Sequence, residues 1–192
     1  MFGNQLKKSI KHKKQQNIPM TIMQIFDSKA KGNLLQYILQ CAIAWIAIAA
    51  VLLFFDYTSR IGENITIIAS LGSSAFVLFA LPQIKSAMPR RFVGGYIVAL
   101  SLGVLFHFFA IHTLSNGNFQ QGPILVFFGA SVVALTILVM VLTNTEHAPA
   151  VGAAFAIILS GWNSTTLVFV MLSVVTMSAV HHLLRNKLKN LS

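Results

Sequence analysis

Hydrophobic positions along this chain fall into six runs, separated by short polar or proline-bearing breaks. The first covers 34–55 and is followed by a polar loop with Asp56, Arg60 and Glu63. The second, 65–81, is interrupted by Gly72-Ser73-Ser74 and stops at Pro82. The third, 92–114, follows Pro89-Arg90-Arg91, and a charge-free loop from Ser115 to Gly122 leads to the fourth, 123–142. The polar stretch 143–149 precedes a short fifth run, 150–160, which ends at Gly161-Trp162-Asn163; the sixth is 164–182. A helix needs about 20 apolar residues to cross the hydrocarbon core. The first, third and fourth runs reach that length, the sixth is close, and the second and fifth are short. The pattern predicts an all-α membrane protein, because a helix satisfies its own backbone hydrogen bonds where no water can.

Composition agrees. The 192 residues are 56% hydrophobic with a mean hydropathy of +0.75, and only 9% are charged. An average soluble domain is roughly 25% charged. The formal charge of +10 would suit a nucleic-acid binder, but its distribution does not. Ten of the fourteen Lys and Arg lie in 1–33 and 183–192, Lys85, Arg90 and Arg91 share one loop, and Arg60 is the last. A nucleic-acid binder needs a basic face on a folded module. Basic segments flanking apolar runs fit cytoplasmic loops and lipid headgroups instead.

Loop charge also decides how many runs cross. With six crossings, thirteen Lys and Arg fall on one side and Arg60 alone on the other. Re-entrant short runs would put loop 82–91 and its three cations on the wrong side. The positive-inside rule therefore predicts six spans with both termini cytoplasmic. The divisions are a basic tail over 1–33, a transmembrane domain over 34–182, and a second basic tail over 183–192. Within the first tail, residues 18–31 suit either a short interfacial helix or a linker. The first apolar run begins too late and is too long for a signal peptide. Cys41 is the single cysteine, so no disulfide can form within the chain, and it reads as a small packing residue.

The two short runs resemble each other. Residues 69–76, read as Ala-Ser-Leu-Gly-Ser-Ser-Ala-Phe, align with 149–156, read as Pro-Ala-Val-Gly-Ala-Ala-Phe-Ala. The chain divides as long-short-long, twice, at about residue 118. An odd number of spans in each half makes this a 3+3 inverted repeat, a common transporter plan. Alternatively the small and aliphatic residues align by chance. Short, glycine-interrupted segments at matching positions are the best sequence pointer to a site. Gly72, Ser73, Ser74, His147, Gly152 and Ala153 are thus expected around one polar cavity between the halves. In the third run, Gly95, Ala99 and Gly103 recur every fourth residue and offer a smooth face to another helix. That helix belongs either to this chain or to a second copy, which leaves a homo-oligomer open.

At these residues the chain resembles the HPP family of membrane proteins. The first motif reads Leu71-Gly72-Ser73-Ser74-Ala75-Phe76, the second Pro89-Arg90-Arg91-Phe92-Val93-Gly94-Gly95-Tyr96, and the third His147-Ala148-Pro149-Ala150-Val151-Gly152. Ala148 replaces the first proline of the name-giving motif, and Val151 is inserted before Gly152. Arg91 stands where the family tends to have Asn, and Tyr96 where it often has His. Some members resemble nitrite transporters of chloroplasts and cyanobacteria. The resemblance implies a membrane transporter or channel for a small inorganic anion such as nitrite. A structural or regulatory membrane protein that moves nothing is the alternative. The expected location is a bacterial inner membrane.

Few residues offer chemistry. Glu146 and His147 sit at a membrane boundary, where an ionisable pair could relay a proton or simply face water. Arg90 and Arg91 could draw an anion to a pore mouth or anchor the topology. His107 and His112 are five apart and do not share a helix face well; His181 and His182 are adjacent and point differently. No His/Cys/Asp/Glu spacing suits a metal, and Asp27, Asp56, Glu63 and Glu146 all lie outside the apolar runs. The expectation is neither metal, cofactor nor enzymatic activity, with lipid and a small anion as partners.

Overall fold

The structure, a computed structural model, describes residues 30–57, 65–116 and 121–191. The proposed interfacial segment 18–31 falls almost wholly outside them. Residues 1–34 and 35–192 form separate units, and of the first only the opening turn of a helix is described. Six helices follow in order: α1 (Ala30–Tyr57), α2 (Ile65–Ala80), α3 (Pro89–Asn116), α4 (Gln121–Thr143), α5 (Ala148–Ser160) and α6 (Ser164–Leu184). Helices α1, α3, α4 and α6 are long and apolar enough to cross a membrane; α2 and α5 are shorter apolar helices. At 1.5 Å per residue α5 is about 20 Å long and α2 about 24 Å, against a core of ~30 Å.

The helix ends have local causes. α3 begins at Pro89, three residues before the apolar run, because proline at a first helical position sacrifices an N–H that lacks a partner anyway. α4 ends at Asn144, whose φ of 56° lies in the left-handed region. The Thr145 N–H then reaches back to the Met140 carbonyl at 2.9 Å, a helix stop in which Asn takes the usual place of glycine. α6 begins with an Asn163 cap whose side chain accepts from the Thr166 N–H at 2.7 Å.

α5 sits at the centre of the bundle, packed against α2, α3 and α4. Its buried residues, Ala150, Ala153, Ala154, Ala156, Ile157 and Ile158, cover a little over half of the helix circumference. The small-residue face of α3 meets it. A Cβ at Gly103 would lie 3.0 Å from the Ala154 carbonyl oxygen and 2.9 Å from Ile157 Cδ1, so the two backbones touch. Gly129 of α4 similarly makes room for the Phe155 ring, whose Cε2 would be 2.7 Å from a Cβ. The partner of the Gly95-Ala99-Gly103 stripe is therefore within this chain.

Large apolar side chains point outward from the described spans, among them Trp45, Leu53, Phe127, Leu142 and Val168, as lipid-facing surfaces require. Cys41 is exposed on α1 rather than packed inside. Two apolar clefts flank α1. One of about 340 Å³ lies against α6, the other of about 310 Å³ against α2. Residues 185–191, a basic tail by their charge, return to the bundle. The Leu191 N–H donates to the Ala80 carbonyl at 2.9 Å, Leu188 is buried, and the buried Gln40 amide bonds the Phe79 and Lys189 carbonyls.

Candidate functional site

α2 buries Ile67, Ser70, Leu71, Ser74, Ala75, Leu78 and Phe79. This three- and four-residue spacing is one helix face, and it places two hydroxyls four residues apart in the interior. Opposite them, Tyr96 enters from α3 and His147 from the loop that leads into α5. The Tyr96 hydroxyl lies 2.8 Å from Ser70 Oγ and 2.9 Å from Ser74 Oγ, and Ser74 Oγ lies 2.9 Å from His147 Nε2. Ser70 donates to the Pro149 carbonyl at 2.7 Å. At the other end, His147 Nδ1 is 3.2 Å from Ser86 Oγ and 3.0 Å from the Ser86 carbonyl oxygen. Ser74, Tyr96 and His147 are each 0% exposed. Polar groups so deep persist because they satisfy one another.

Glycine holds the histidine in place. A Cβ on Gly95 would sit 2.8 Å from His147 Cβ and 3.0 Å from the Thr145 carbonyl oxygen, and one on Gly94 would be 2.7 Å from Thr145 Cγ2. The bare backbone of α3 thus lets the extended segment 145–147 lie directly on it. Phe92 completes the wall, its ring edge-on to His147 with centroids 4.8 Å apart. Nearby, Arg91 pairs with Glu146 at 2.6 Å and bonds the Asn144 side chain, pinning the same loop to the start of α3.

The residues singled out from sequence divide. Ser74 and His147 bond each other directly. Gly152 and Ala153 lie beside them on α5; a Cβ on Gly152 would be 3.9 Å from Ser70 Cβ, and Ala153 is buried. Gly72 and Ser73 point the other way. Nothing lies within 4 Å of a Cβ on Gly72, and Ser73 is exposed, its hydroxyl turned back to the Ala69 carbonyl at 3.1 Å. Arg90 is exposed, whereas the charge of Arg91 is balanced by Glu146. Ser74, Tyr96 and His147 are in direct hydrogen-bond contact where a polar cavity is expected, and the two clefts beside α1 are lined by other residues.

Three members of the cluster were not foreseen: Ser70, Tyr96 and Ser86. Ser70 was legible in principle, being four residues before Ser74 on the same face. Tyr96 stood out only as a departure from the family pattern, and it proves to be the centre of the cluster. Ser86 carries no sequence signal, since its role depends on how a short 3-10 turn, Lys85–Ala87, folds over the loop. Of the other histidines, His181 is buried and donates from Nε2 to the Pro82 carbonyl at 3.1 Å, while His182 is exposed. Among the described residues no group of three or more His, Cys, Asp or Glu could hold a metal.

Residues 29–191 match the family described as HPP, transmembrane region. A transmembrane protein of Dictyostelium discoideum is 28% identical over 122 residues, which is 60% of this chain and 39% of that protein. No solved structure matches. The family match runs through all six helices and every residue of the buried cluster, so this chain belongs to the HPP family of multi-pass integral membrane proteins.

Proposed function

We propose that this protein carries a small inorganic anion, with nitrite the first candidate, across the membrane. The observation behind this reading is the buried cluster of Ser70, Ser74, Tyr96 and His147 where the two short helices meet. Hydroxyl and imidazole donors with no carboxylate among them suit a partly dehydrated anion, since they offer hydrogen bonds without a buried opposing charge. Exposed Arg90 and Lys85 at the same end of the bundle add a field that draws anions. The family resemblance to nitrite transporters points the same way.

The reading includes a 3+3 inverted repeat with both termini cytoplasmic. Exchanging the halves turns the α3–α5 pair into α6–α2, and both pairings occur, but α4 packs on α3 and α5 without a matching set of contacts from α1. The loop charges support the orientation, and a bacterial inner membrane fits it. The closed packing of the cluster favours a second reading, a structural or regulatory membrane protein that moves nothing. Proteoliposomes offered nitrite, nitrate, formate, chloride and ammonium separate the two. Saturable nitrite uptake that falls about tenfold or more in S74A and H147Q, the effect of losing ~1.4 kcal/mol of binding, is the expected result. No uptake of any of the five would leave the second reading.

A further inference from the structure

We propose that His147 is a proton-binding site and that Ser86 is the partner that changes role with its charge. In the neutral state the Ser86 hydroxyl donates to Nδ1. In the charged state Nδ1–H donates to the Ser86 carbonyl. The inference stands apart from anion transport, because it follows from counting protons along the cluster.

The chain of contacts runs from the Pro149 carbonyl through Ser70, Tyr96, Ser74 and the imidazole to the Ser86 carbonyl. Both ends are carbonyl oxygens, which only accept. Between them lie five contacts, and the interior groups bring four protons: one each from Ser70, Tyr96, Ser74 and a neutral imidazole. Either tautomer leaves one of the five contacts without a proton, so the Ser86 hydroxyl decides: if the ring proton sits on Nδ1, one of the other four contacts is empty and that hydroxyl has no acceptor on the ring. If it sits on Nε2, every bond runs one way. His147 donates to Ser74, Ser74 to Tyr96, Tyr96 to Ser70, and Ser70 to Pro149. Nδ1 is then bare, and the Ser86 hydroxyl, 3.2 Å away, donates to it.

In that neutral state the Nδ1 lone pair also faces the Ser86 carbonyl oxygen at 3.0 Å. A proton added to Nδ1 turns this repulsive contact into a charge-assisted hydrogen bond. The other four bonds keep their direction, so only the Ser86 hydroxyl must turn. A site that gains a proton without reorganising its neighbours is preorganised for it.

The surroundings leave the proton to this ring. α2 presents the neutral hydroxyls of Ser70 and Ser74, and α3 presents Phe92 and Tyr96. Glu146, next in sequence, is engaged by Arg91, and Lys85 beside Ser86 is exposed. Burial pushes the imidazole pKa down, to about 4, against the pull of the Ser86 carbonyl. The ring is therefore neutral near pH 7 and takes up its proton as the pH falls.

Nitrogen-15 solid-state NMR of the full-length, histidine-labelled protein in lipid tests this, with H147Q as the reference that assigns the His147 signals. At pH 7 the ring should carry its proton on Nε2, and acidification should protonate Nδ1 with a midpoint well below 6.5. S86A removes the donor to the neutral ring, so its midpoint should rise by about one pH unit. S70A touches neither His147 nor Ser86 but removes the anchor at Pro149, and it should let the Nδ1–H tautomer appear. A neutral His147 protonated on Nδ1 in the unaltered protein overturns the proposal. So does an unchanged midpoint in S86A or an unchanged tautomer in S70A.

Discussion

At the scale of single residues, stability and the candidate site share the same side chains. Ser74 bridges Tyr96 and His147, so S74A leaves the buried His147 Nε2 without its partner and Tyr96 with Ser70 alone. That should cost about 1–3 kcal/mol, read from thermal unfolding in detergent. Combined with Y96F, the loss should fall short of the sum of the two single changes, since both break the same bond. His147 adds a pH dependence. Its folded pKa, about 4, lies below the ordinary value of 6.5, so the unfolded chain binds the proton more readily. Stability is full above about pH 6.5, declines as the pH falls toward 4, and changes no further below that. The contribution is on the order of 3 kcal/mol. Melting curves at pH 7 and pH 4.5 should differ in the unaltered protein and differ less in H147Q.

At the scale of elements, glycine placement sets which helices approach. The stripe of small residues on α3 was legible as a contact face from its four-residue spacing. Its partner was not, because α5 and a second copy of the chain would offer similar surfaces. Two alanine substitutions distinguish a required glycine from a permitted one. G95A drives a Cβ against the backbone of 145–147 and should destabilise by about 1–3 kcal/mol. G72A meets open space and should be neutral or slightly stabilising, since alanine favours the helix by about 1 kcal/mol over glycine. Equal losses in thermal stability for the two would contradict this packing.

At the scale of the whole molecule, loop charge and the short helices are the argument for the proposed topology. α2 and α5 fall short of the bilayer thickness, yet crossing by both keeps Lys85, Arg90 and Arg91 on the side of the basic tails. With Cys41 replaced by alanine, a cysteine at position 85 should react with an impermeant maleimide only in inverted membranes. Labelling in intact cells would rule out the six-crossing arrangement. The tail at 185–191 closes the same end of the bundle through Gln40, Gln83 and Ala80. Its charge marks it only as a basic tail; most of its contacts are through backbone carbonyls and N–H groups, which are the same in any sequence, with the Asn190 side chain and buried Leu188 added.

Sequence by itself determined the class, and, among the described residues, the number of α-helices and their bounds to within a few residues. The reason is that lipid imposes a local condition: each span must be apolar for its length and must satisfy its own backbone. It also singled out Ser74 and His147, which bond each other. Only the tertiary structure decided what surrounds them. Successive helical residues turn by about 100°, which separates Ser70 and Ser74 from Gly72 and Ser73 once the buried face is known, but sequence alone leaves that face open in a helix apolar on all sides. Whether Arg91 offers a free charge, and whether Tyr96 and Ser86 belong to the cluster, depended on which loop folds against which helix. Those contacts join residues 22 to 79 positions apart, and no periodicity along the chain encodes them.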